Sequence, residues 1–282
     1  MASGAAPAVP PPALLPDASE LASGKVLRMR LGDASRQLYY LYLPTRLRHP
    51  GRIFVTVHGI SRNAREHAER FAPLAEEAGV VLIAPRFGRA RHARYQRLAV
   101  DAKGRRPDQL LDAIVAEVRE RVGLSESPLF LFGFSGGGQF VHRYAMALPA
   151  RVARAVVGAA GWYTFPDPLQ RYPRGLRVRG DDQPAFRLPD CLPVPVCVIV
   201  GGADNVRDVA LKQTPRIDRQ QGEHRLERGR RWVDAMRTAA RAHGLATDYR
   251  YQVLPGIGHD FTAAMVEGQM GRLVFDHLFG ER

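Results

Sequence analysis

The feature that most constrains this chain is the motif Gly133-Phe134-Ser135-Gly136-Gly137, which joins an apolar stretch to a helical pattern. Residues 129–134 have the composition of a buried strand, and residues 136–148 have the spacing of a helix. Small neighbours at such a junction let the strand and the helix approach closely, which leaves the serine hydroxyl exposed on a strained turn. A glycine-rich phosphate loop is the competing interpretation, but no Gly-Lys-Ser/Thr follows. The motif therefore predicts that Ser135 is a nucleophile.

The rest of the pattern predicts an α/β fold. Two alternating segments, 26–31 and 37–43, flank a polar break and predict an antiparallel hairpin. Short apolar runs then alternate with helical patterns, which is typical of parallel strands joined by crossover helices. We expect a mostly parallel twisted sheet with helices on both faces. The predicted strands are 52–57, 80–84, 129–134, 152–158, 196–201 and 248–254, and the predicted helices are 63–78, 107–122, 136–148, 223–243 and 261–279. In the first of these helices, Asn63 is expected to cap the start and Pro73 to kink or split it.

The 282 residues are consistent with one large domain and a short tail. Residues 1–23 are rich in alanine and proline and predict a flexible tail, so the folded domain covers 24–282. The segment 162–193 has no sustained periodicity, and a long irregular connection in a compact domain is usually a functional loop or lid. A disordered insertion is the alternative interpretation of this segment.

A serine hydroxyl needs a base, and the base needs an orienting carboxylate. His259 lies in a glycine-containing loop directly after the last predicted strand, and Asp204 follows the 196–201 strand. The carboxyl ends of parallel strands meet at one sheet edge, so we expect both beside Ser135. Asp208, four residues after Asp204, and Asp260, beside the base, are the rivals for the carboxylate.

Negative charge that develops on a substrate carbonyl needs backbone donors in fixed positions. The amide of Gly136, directly after the nucleophile, is one predicted donor. The second lies in the loop after the 52–57 strand, where Gly59 permits a sharp turn; Ile60 is the predicted donor and Ser61 the alternative. His58 in the same loop is predicted to brace it and not to act as a second base.

The formal net charge of +13 raises the question of an acidic partner, because clustered arginines attract nucleic acid or anionic membrane. Here the arginines are scattered, with the densest stretch, 86–97, in a predicted loop, so we expect no nucleic-acid partner. No run is long enough for a membrane span, and residues 1–16 lack the pattern of a signal peptide. We therefore expect a cytoplasmic protein in which Cys191 and Cys197 are free thiols. The sequence does not indicate an oligomeric state.

Taken in order, His58-Gly59, the 133–137 motif, Asp204 and His259 resemble the α/β-hydrolase superfamily over residues 24–279. Leu43-Pro44, the loop 58–63 and Gly161-Trp162-Tyr163 resemble more narrowly the polyhydroxyalkanoate depolymerase and feruloyl esterase-like branch. This resemblance implies hydrolysis of a carboxylic ester through an acyl-enzyme by a serine esterase that uses no metal or cofactor.

The resulting hypothesis is a serine carboxylester hydrolase that acts on a small or medium ester. Trp162 and Tyr163 follow a strand end near Ser135 and are predicted to line a substrate pocket, with packing under the irregular segment as the alternative. An acyltransferase or a peptidase could use the same three residues. A non-catalytic anion-binding protein on the same scaffold is the hypothesis from a different functional class.

Overall fold

The computed structural model describes residues 21–101, 104–180 and 183–280. Within these residues eight strands form one sheet, in the order β1-β2-β4-β3-β5-β6-β7-β8. The strands are β1 Val26–Arg30, β2 Leu38–Tyr42, β3 Ile53–Val57, β4 Val81–Pro85, β5 Leu129–Phe134, β6 Val152–Gly158, β7 Val196–Gly201 and β8 Tyr249–Leu254. The predicted tail lies outside the described residues, apart from positions 21–23.

The pairing of the strands follows the sequence pattern. β1 pairs with β2 and β2 with β4 in antiparallel register, and all other neighbours are parallel. β3, β4 and β7 are buried along their whole length, as continuous apolar strands covered on both faces should be. The predicted fold class is therefore confirmed. β5 lies between β3 and β6, so its carboxyl end is at the centre of one sheet edge.

Helices pack around the sheet. In the described residues they are α1 Ala64–Ala78, α2 Pro107–Val122, α3 Gly136–Ala147, α4 Leu188–Cys191, α5 Pro215–Gln221, α6 Arg225–Ala242, α7 Phe261–Val266 and α8 Met270–Phe279. α1 contacts β3, β4 and α8, whereas α3 contacts β5 and β6 and α6 contacts β7 and β8. None of the described helices is long and apolar enough to cross a membrane.

Three local predictions need correction. The predicted closing helix is two helices, α7 and α8, because Gln269 between them adopts a left-handed backbone conformation. Pro73 does not split α1, which is assigned as one helix on both sides of it. Asn63 occupies the cap position of α1 without accepting a hydrogen bond from a backbone amide, and its Oδ1 atom instead accepts one from the Ser61 hydroxyl at 2.9 Å.

The core under the site edge is aromatic. Phe54 on β3 lies edge-on to Phe71 of α1 and Phe275 of α8, with ring centroids 5.1 and 4.9 Å apart. Phe71 also packs against Phe132 of β5. Such rings bury large apolar areas and favour tilted contacts. This packing fixes β3 and β5 side by side and thereby positions the loops that follow them. Both cysteines are buried free thiols, as predicted.

Candidate active site

Ser135 lies on the turn between β5 and α3. Its backbone has φ 55° and ψ −111°, a conformation that residues with side chains rarely adopt. The strained turn is held by a hydrogen bond from the Ser135 amide to the carbonyl of Gly158 at the end of β6, 2.7 Å long. Strain of this kind persists only where the surrounding structure enforces it. The turn projects the Ser135 side chain at the carboxyl edge of the sheet.

The glycines of the motif are required by close backbone contacts. A Cβ atom on Gly133 would lie 2.3 Å from the carbonyl oxygen of Gly137, and one on Gly137 would lie 1.9 Å from the carbonyl oxygen of Val57. Neither position could hold a side chain without a backbone shift. The start of α3 therefore packs directly against the ends of β3 and β5.

The structure brings Ser135, His259 and Asp204 together. The Nε2 atom of His259 lies 3.0 Å from the Ser135 Oγ atom, and Nδ1 lies 2.7 Å from an Asp204 carboxylate oxygen. Asp204 is 2% exposed, whereas the His259 side chain is 19% exposed, so the imidazole reaches solvent and the carboxylate does not. The Phe134 ring stacks on the imidazole with centroids 5.3 Å apart.

Two loops carry His259 and Asp204, and backbone hydrogen bonds join these loops. The Gly202 amide donates to the Leu254 carbonyl at 2.7 Å, and the Ala203 amide donates to the Ile257 carbonyl at 2.9 Å. A Cβ on Gly201 would lie 2.1 Å from the Ile257 carbonyl oxygen, so this position also requires glycine. The loops after β7 and β8 therefore form one unit.

The rival carboxylates are engaged elsewhere. Asp260 caps α7 by accepting a hydrogen bond from the Ala263 amide at 2.7 Å. Asp208 accepts hydrogen bonds from the Arg225 guanidinium at 2.7 and 3.0 Å. Neither forms a hydrogen bond with His259 in the described part of the chain.

The two predicted oxyanion donors lie next to each other. A Cβ on Gly136 would be 3.4 Å from the Ile60 backbone nitrogen, which places the two residues in contact. Among the described residues, neither the Gly136 nor the Ile60 amide donates a hydrogen bond. The Gly136 amide is at the first turn of α3, where helix geometry provides no partner. Two unpaired donors therefore lie beside the Ser135 turn.

His58 braces the loop that carries Ile60. Its Nδ1–H donates to the Gly59 carbonyl at 2.7 Å, and its Nε2 accepts from the Phe87 amide at 3.0 Å. Burial lowers the pKa of His58 to about 4, so the ring is neutral, as this pair of hydrogen bonds requires. The Tyr95 hydroxyl donates to the His58 carbonyl at 2.7 Å and fixes the same loop.

A cavity of about 330 Å³ opens beside the Ser135 hydroxyl. Its wall combines apolar side chains with hydroxyl, amide and carboxylate groups. The lining residues are Gly59, Ile60, Ser61, Asn63, Glu66, Phe134, Ser135, Ala210, His259, Asp260, Phe261 and Thr262. Hydrogen bonds from Thr262 and Asn63 help to lower the pKa of Glu66 to about 2 against the opposing effect of its partial burial. This carboxylate is therefore charged at neutral pH.

Solved structures with this architecture include two that are 27% identical to the chain. The poly(aspartic acid) hydrolase-1 of Sphingomonas sp. KT-1 aligns with a TM-score of 0.77, covering 90% of this chain and 100% of its own. LpqC, a poly(3-hydroxybutyrate) depolymerase of Bordetella parapertussis, aligns with a TM-score of 0.75, covering 94% and 93%. The chain is an α/β-hydrolase-fold enzyme. Its sequence matches no protein-family profile and no curated protein.

A more distant structure shows the same fold. The S-formylglutathione hydrolase FrmB of Staphylococcus aureus is 14% identical to this hydrolase and aligns with a TM-score of 0.57, covering 90% of this chain and 98% of its own. The two structures that are 27% identical are both enzymes, which disfavours the non-catalytic alternative.

Trp162 and Tyr163, the residues predicted to line a substrate pocket, are buried in the hydrolase. Tyr163 is fully buried, and its ring stacks on Trp232 with centroids 5.2 Å apart. Trp162 is 6% exposed, and the guanidinium carbons of Arg97 and Arg143 lie 5.3 and 4.8 Å from the centre of its ring. Neither ring lines the cavity, as far as the described residues define it. The structure thus shows packing contacts for both rings, and a role in substrate binding stays a prediction.

The irregular segment is also packed against the body of the hydrolase. The Tyr172 hydroxyl donates to the Arg97 carbonyl, and the Thr164 amide donates to His142 Nε2 at 3.0 Å. No described residue of 162–193 lines the cavity beside Ser135. A lid role for this segment stays a prediction.

One contact of the site has no counterpart in the sequence interpretation. The Arg225 guanidinium donates to Asp204 at 3.1 Å, on the carboxylate oxygen that His259 does not use. Arg225 is the first residue of α6, 21 positions after Asp204, and no motif marks it among the 41 lysines and arginines. Within residues 21–101, 104–180 and 183–280, no three side chains that could hold a metal ion lie together.

Proposed function

We propose that this hydrolase cleaves carboxylic esters through an acyl-enzyme in which Ser135 carries the acyl group. The observation that carries the proposal is the hydrogen-bonded chain from Asp204 through His259 to Ser135, with contacts of 2.7 and 3.0 Å. A serine hydroxyl is a weak nucleophile unless an adjacent base accepts its proton. The free Nε2 atom of a neutral imidazole, with Nδ1–H bound to Asp204, is that base.

In the first half of the reaction, the Ser135 Oγ atom attacks the ester carbonyl carbon while its proton moves to His259 Nε2. The amides of Gly136 and Ile60 donate hydrogen bonds to the resulting oxyanion, which they meet without reorganisation. Collapse of this intermediate breaks the ester C–O bond. His259 returns the proton to the leaving alcohol, and the acyl group stays on Ser135.

In the second half, water takes the place of the alcohol. His259 accepts a proton from the water as it attacks the acyl carbonyl carbon, and the same two amides bind the second oxyanion. The bond between the acyl carbon and Ser135 Oγ breaks, and His259 returns its proton to the serine. The products are the carboxylic acid and the unmodified enzyme.

The size of the cavity supports a small or medium ester, or one unit of a longer chain. Its 330 Å³ is at the lower end of the range for small-molecule sites. The likeness to a poly(3-hydroxybutyrate) depolymerase supports an ester substrate. The likeness to a poly(aspartic acid) hydrolase supports a second candidate, amide cleavage by the same residues. Transfer of the acyl group to another acceptor, and a cytoplasmic location, stay predictions.

A fluorophosphonate probe, which reacts with activated serines, tests the nucleophile. We expect labelling of the wild type and none of Ser135→Ala. Ser61→Ala is the matched control, because Ser61 lines the same cavity but its hydroxyl donates to Asn63. Labelling that survives in Ser135→Ala, or disappears in Ser61→Ala alone, contradicts the proposal.

The substrate class requires a separate comparison. Rates with p-nitrophenyl esters of rising chain length, a hydroxycinnamate ester, a hydroxybutyrate oligomer and an aspartate oligomer distinguish the two candidates. We expect the highest kcat/KM with a short or medium ester. Cleavage of the aspartate oligomer with no activity on any ester supports the amide candidate instead.

A further inference from the structure

Arg225 joins two carboxylates behind the histidine. One terminal nitrogen of its guanidinium lies 3.1 Å from Asp204 and 2.7 Å from Asp208, and the other lies 3.0 Å from Asp208. The Arg225 and Asp204 side chains are each 1% exposed, whereas the Asp208 side chain is 34% exposed. The guanidinium thus occupies the Asp204 oxygen opposite the one that contacts His259.

The location of Arg225 is unfavourable without these partners. It is the first residue of α6, and a helix N-terminus repels positive charge. A buried cation also needs compensating charge. The Asp204 and Asp208 carboxylates supply two negative charges to one positive charge, so the group of three carries a net charge of −1 beside His259.

Other titratable side chains lie near Asp204, Asp208 and Arg225, and none of those named here carries a positive charge. Glu66 of α1 and Asp260 before α7 line the cavity together with His259, and both have hydrogen-bond partners of their own. Burial raises the pKa of Tyr163, and it raises that of Tyr251 to about 12, so both phenols near Asp204 are neutral. Asp204, Arg225 and Asp208 are the charged groups that a continuous chain of hydrogen bonds joins to the imidazole.

We propose that Arg225 is a positioning residue that orients Asp204 and, balanced by Asp208, sets the net charge beside His259 and thereby the acid limb of the pH–activity profile. The proposal rests on the proposed function of His259 as the base. Orientation follows from geometry, because the two hydrogen bonds to Asp204, one to each oxygen, fix the plane of the carboxylate. The charge effect follows from the number of negative groups that the imidazolium meets.

Asp208 is close enough to take part in this balance. Hydrogen bonds from Arg225 lower the pKa of the Asp208 carboxyl most, and the charge of His259 contributes to the same lowering. Interaction between two titrating groups is mutual. Loss of the Asp208 charge therefore makes protonated His259 less stable, and loss of the Arg225 charge makes it more stable.

Three variants separate charge from structure. Arg225→Met leaves a net charge of −2 beside His259, Asp208→Asn leaves none, and the double variant restores −1. The measurement is kcat/KM for p-nitrophenyl acetate between pH 5 and 9, because its acid limb reports the base in the free enzyme. We expect the limb to move up by about 0.5 to 1 pH unit in Arg225→Met and down by about 0.5 in Asp208→Asn. The double variant should return to within about 0.3 unit of the wild type.

Orientation has its own readout in kcat. Arg225→Met and the double variant should both lose about tenfold in kcat, because Asp204 loses the same hydrogen bond in each. Arg225→Lys keeps the charge, so its acid limb should match the wild type while kcat recovers in part. Active-site titration with the fluorophosphonate corrects every rate for misfolded protein.

Shifts in the same direction for the two single variants, or no shift in either, overturn the proposal. A purely structural role for Arg225 lowers the melting temperature and the titrated fraction without moving the limb. If Arg225→Met does not fold, Asp208→Asn decides alone, and an unmoved limb overturns the proposal. Loss of Ser135 labelling in the wild type would instead refute the proposed function, so the two failures are distinguishable.

Discussion

Replacement of Gly137 by alanine tests the contact on which the site is built. An added Cβ would lie 1.9 Å from the Val57 carbonyl oxygen, 2.6 Å from its carbon and 2.7 Å from the His58 carbonyl oxygen. Non-bonded heavy atoms pack at about 3.5 Å, so relief requires a movement of about 1.5 Å. All three atoms belong to the backbone, and no side-chain rotation can supply that movement.

The expected magnitude follows from this geometry. Overpacking typically destabilises by about 1–3 kcal/mol, and a clash with backbone belongs at the upper end or beyond. We expect the free energy of unfolding to fall by about 3 kcal/mol or more, which lowers the melting temperature by roughly 6–12 °C in a domain of this size. A shift of α3 away from β3 also separates the Gly136 and Ile60 amides. Loss of one oxyanion donor reduces kcat by about 100- to 1,000-fold.

Thermal unfolding followed by circular dichroism, with kcat measured on a p-nitrophenyl ester, checks both effects. Gly88→Ala is the matched control, because a Cβ there meets no atom within 4 Å. We expect the control to unfold and react like the wild type. A Gly137→Ala enzyme with the melting temperature and kcat of the wild type would refute the reasoning.

Three further expectations concern the same loops. Ile60→Pro removes the backbone N–H proposed to bind the oxyanion and should lower kcat about 100-fold or more. Ile60→Val keeps this N–H and should keep the wild-type kcat, and equal kcat values in the two variants contradict the assignment. Ser135→Gly should be more stable to urea than Ser135→Ala by about 1 kcal/mol, because glycine tolerates φ 55°, and the reverse order would exclude strain at this turn. Burial lowers the pKa of His58 from 6.5 to about 4, so the unfolded chain binds more protons between these values. The free energy of unfolding should therefore fall by up to about 3 kcal/mol as pH drops from 6.5 to 4, and less in His58→Gln; equal losses contradict a neutral buried ring.

The fold and the proximity of Ser135, Asp204 and His259 could be predicted because their signals are local or topological. Ser135 lies in a motif in which close backbone contacts require glycine, and the apolar patterns on either side predict a buried strand and a helix. Asp204 and His259 each follow a predicted strand. In a parallel sheet such positions converge at one edge, so no knowledge of side-chain contacts was needed to expect them near Ser135.

Other features depend on contacts that sequence spacing does not encode. Arg225 reaches Asp204 only because α6 starts beside the loop after β7, and its charge is one of many on this chain. Tyr163 lies in the loop that follows β6, yet its ring is buried against Trp232. Gln269 divides the closing helix with a left-handed backbone conformation although glutamine is a good helix former, so helix propensity does not mark this break.

The most direct test of the central claim is to identify the residue that carries the acyl group during turnover. Rapid acid quenching of the enzyme with a slowly hydrolysed p-nitrophenyl ester, followed by peptide mass spectrometry, locates any covalent intermediate. The account predicts one acyl group per chain, attached to Ser135 and absent from Ser135→Ala. An acyl group on another residue, or turnover with no acyl group on Ser135 at any quench time, contradicts it.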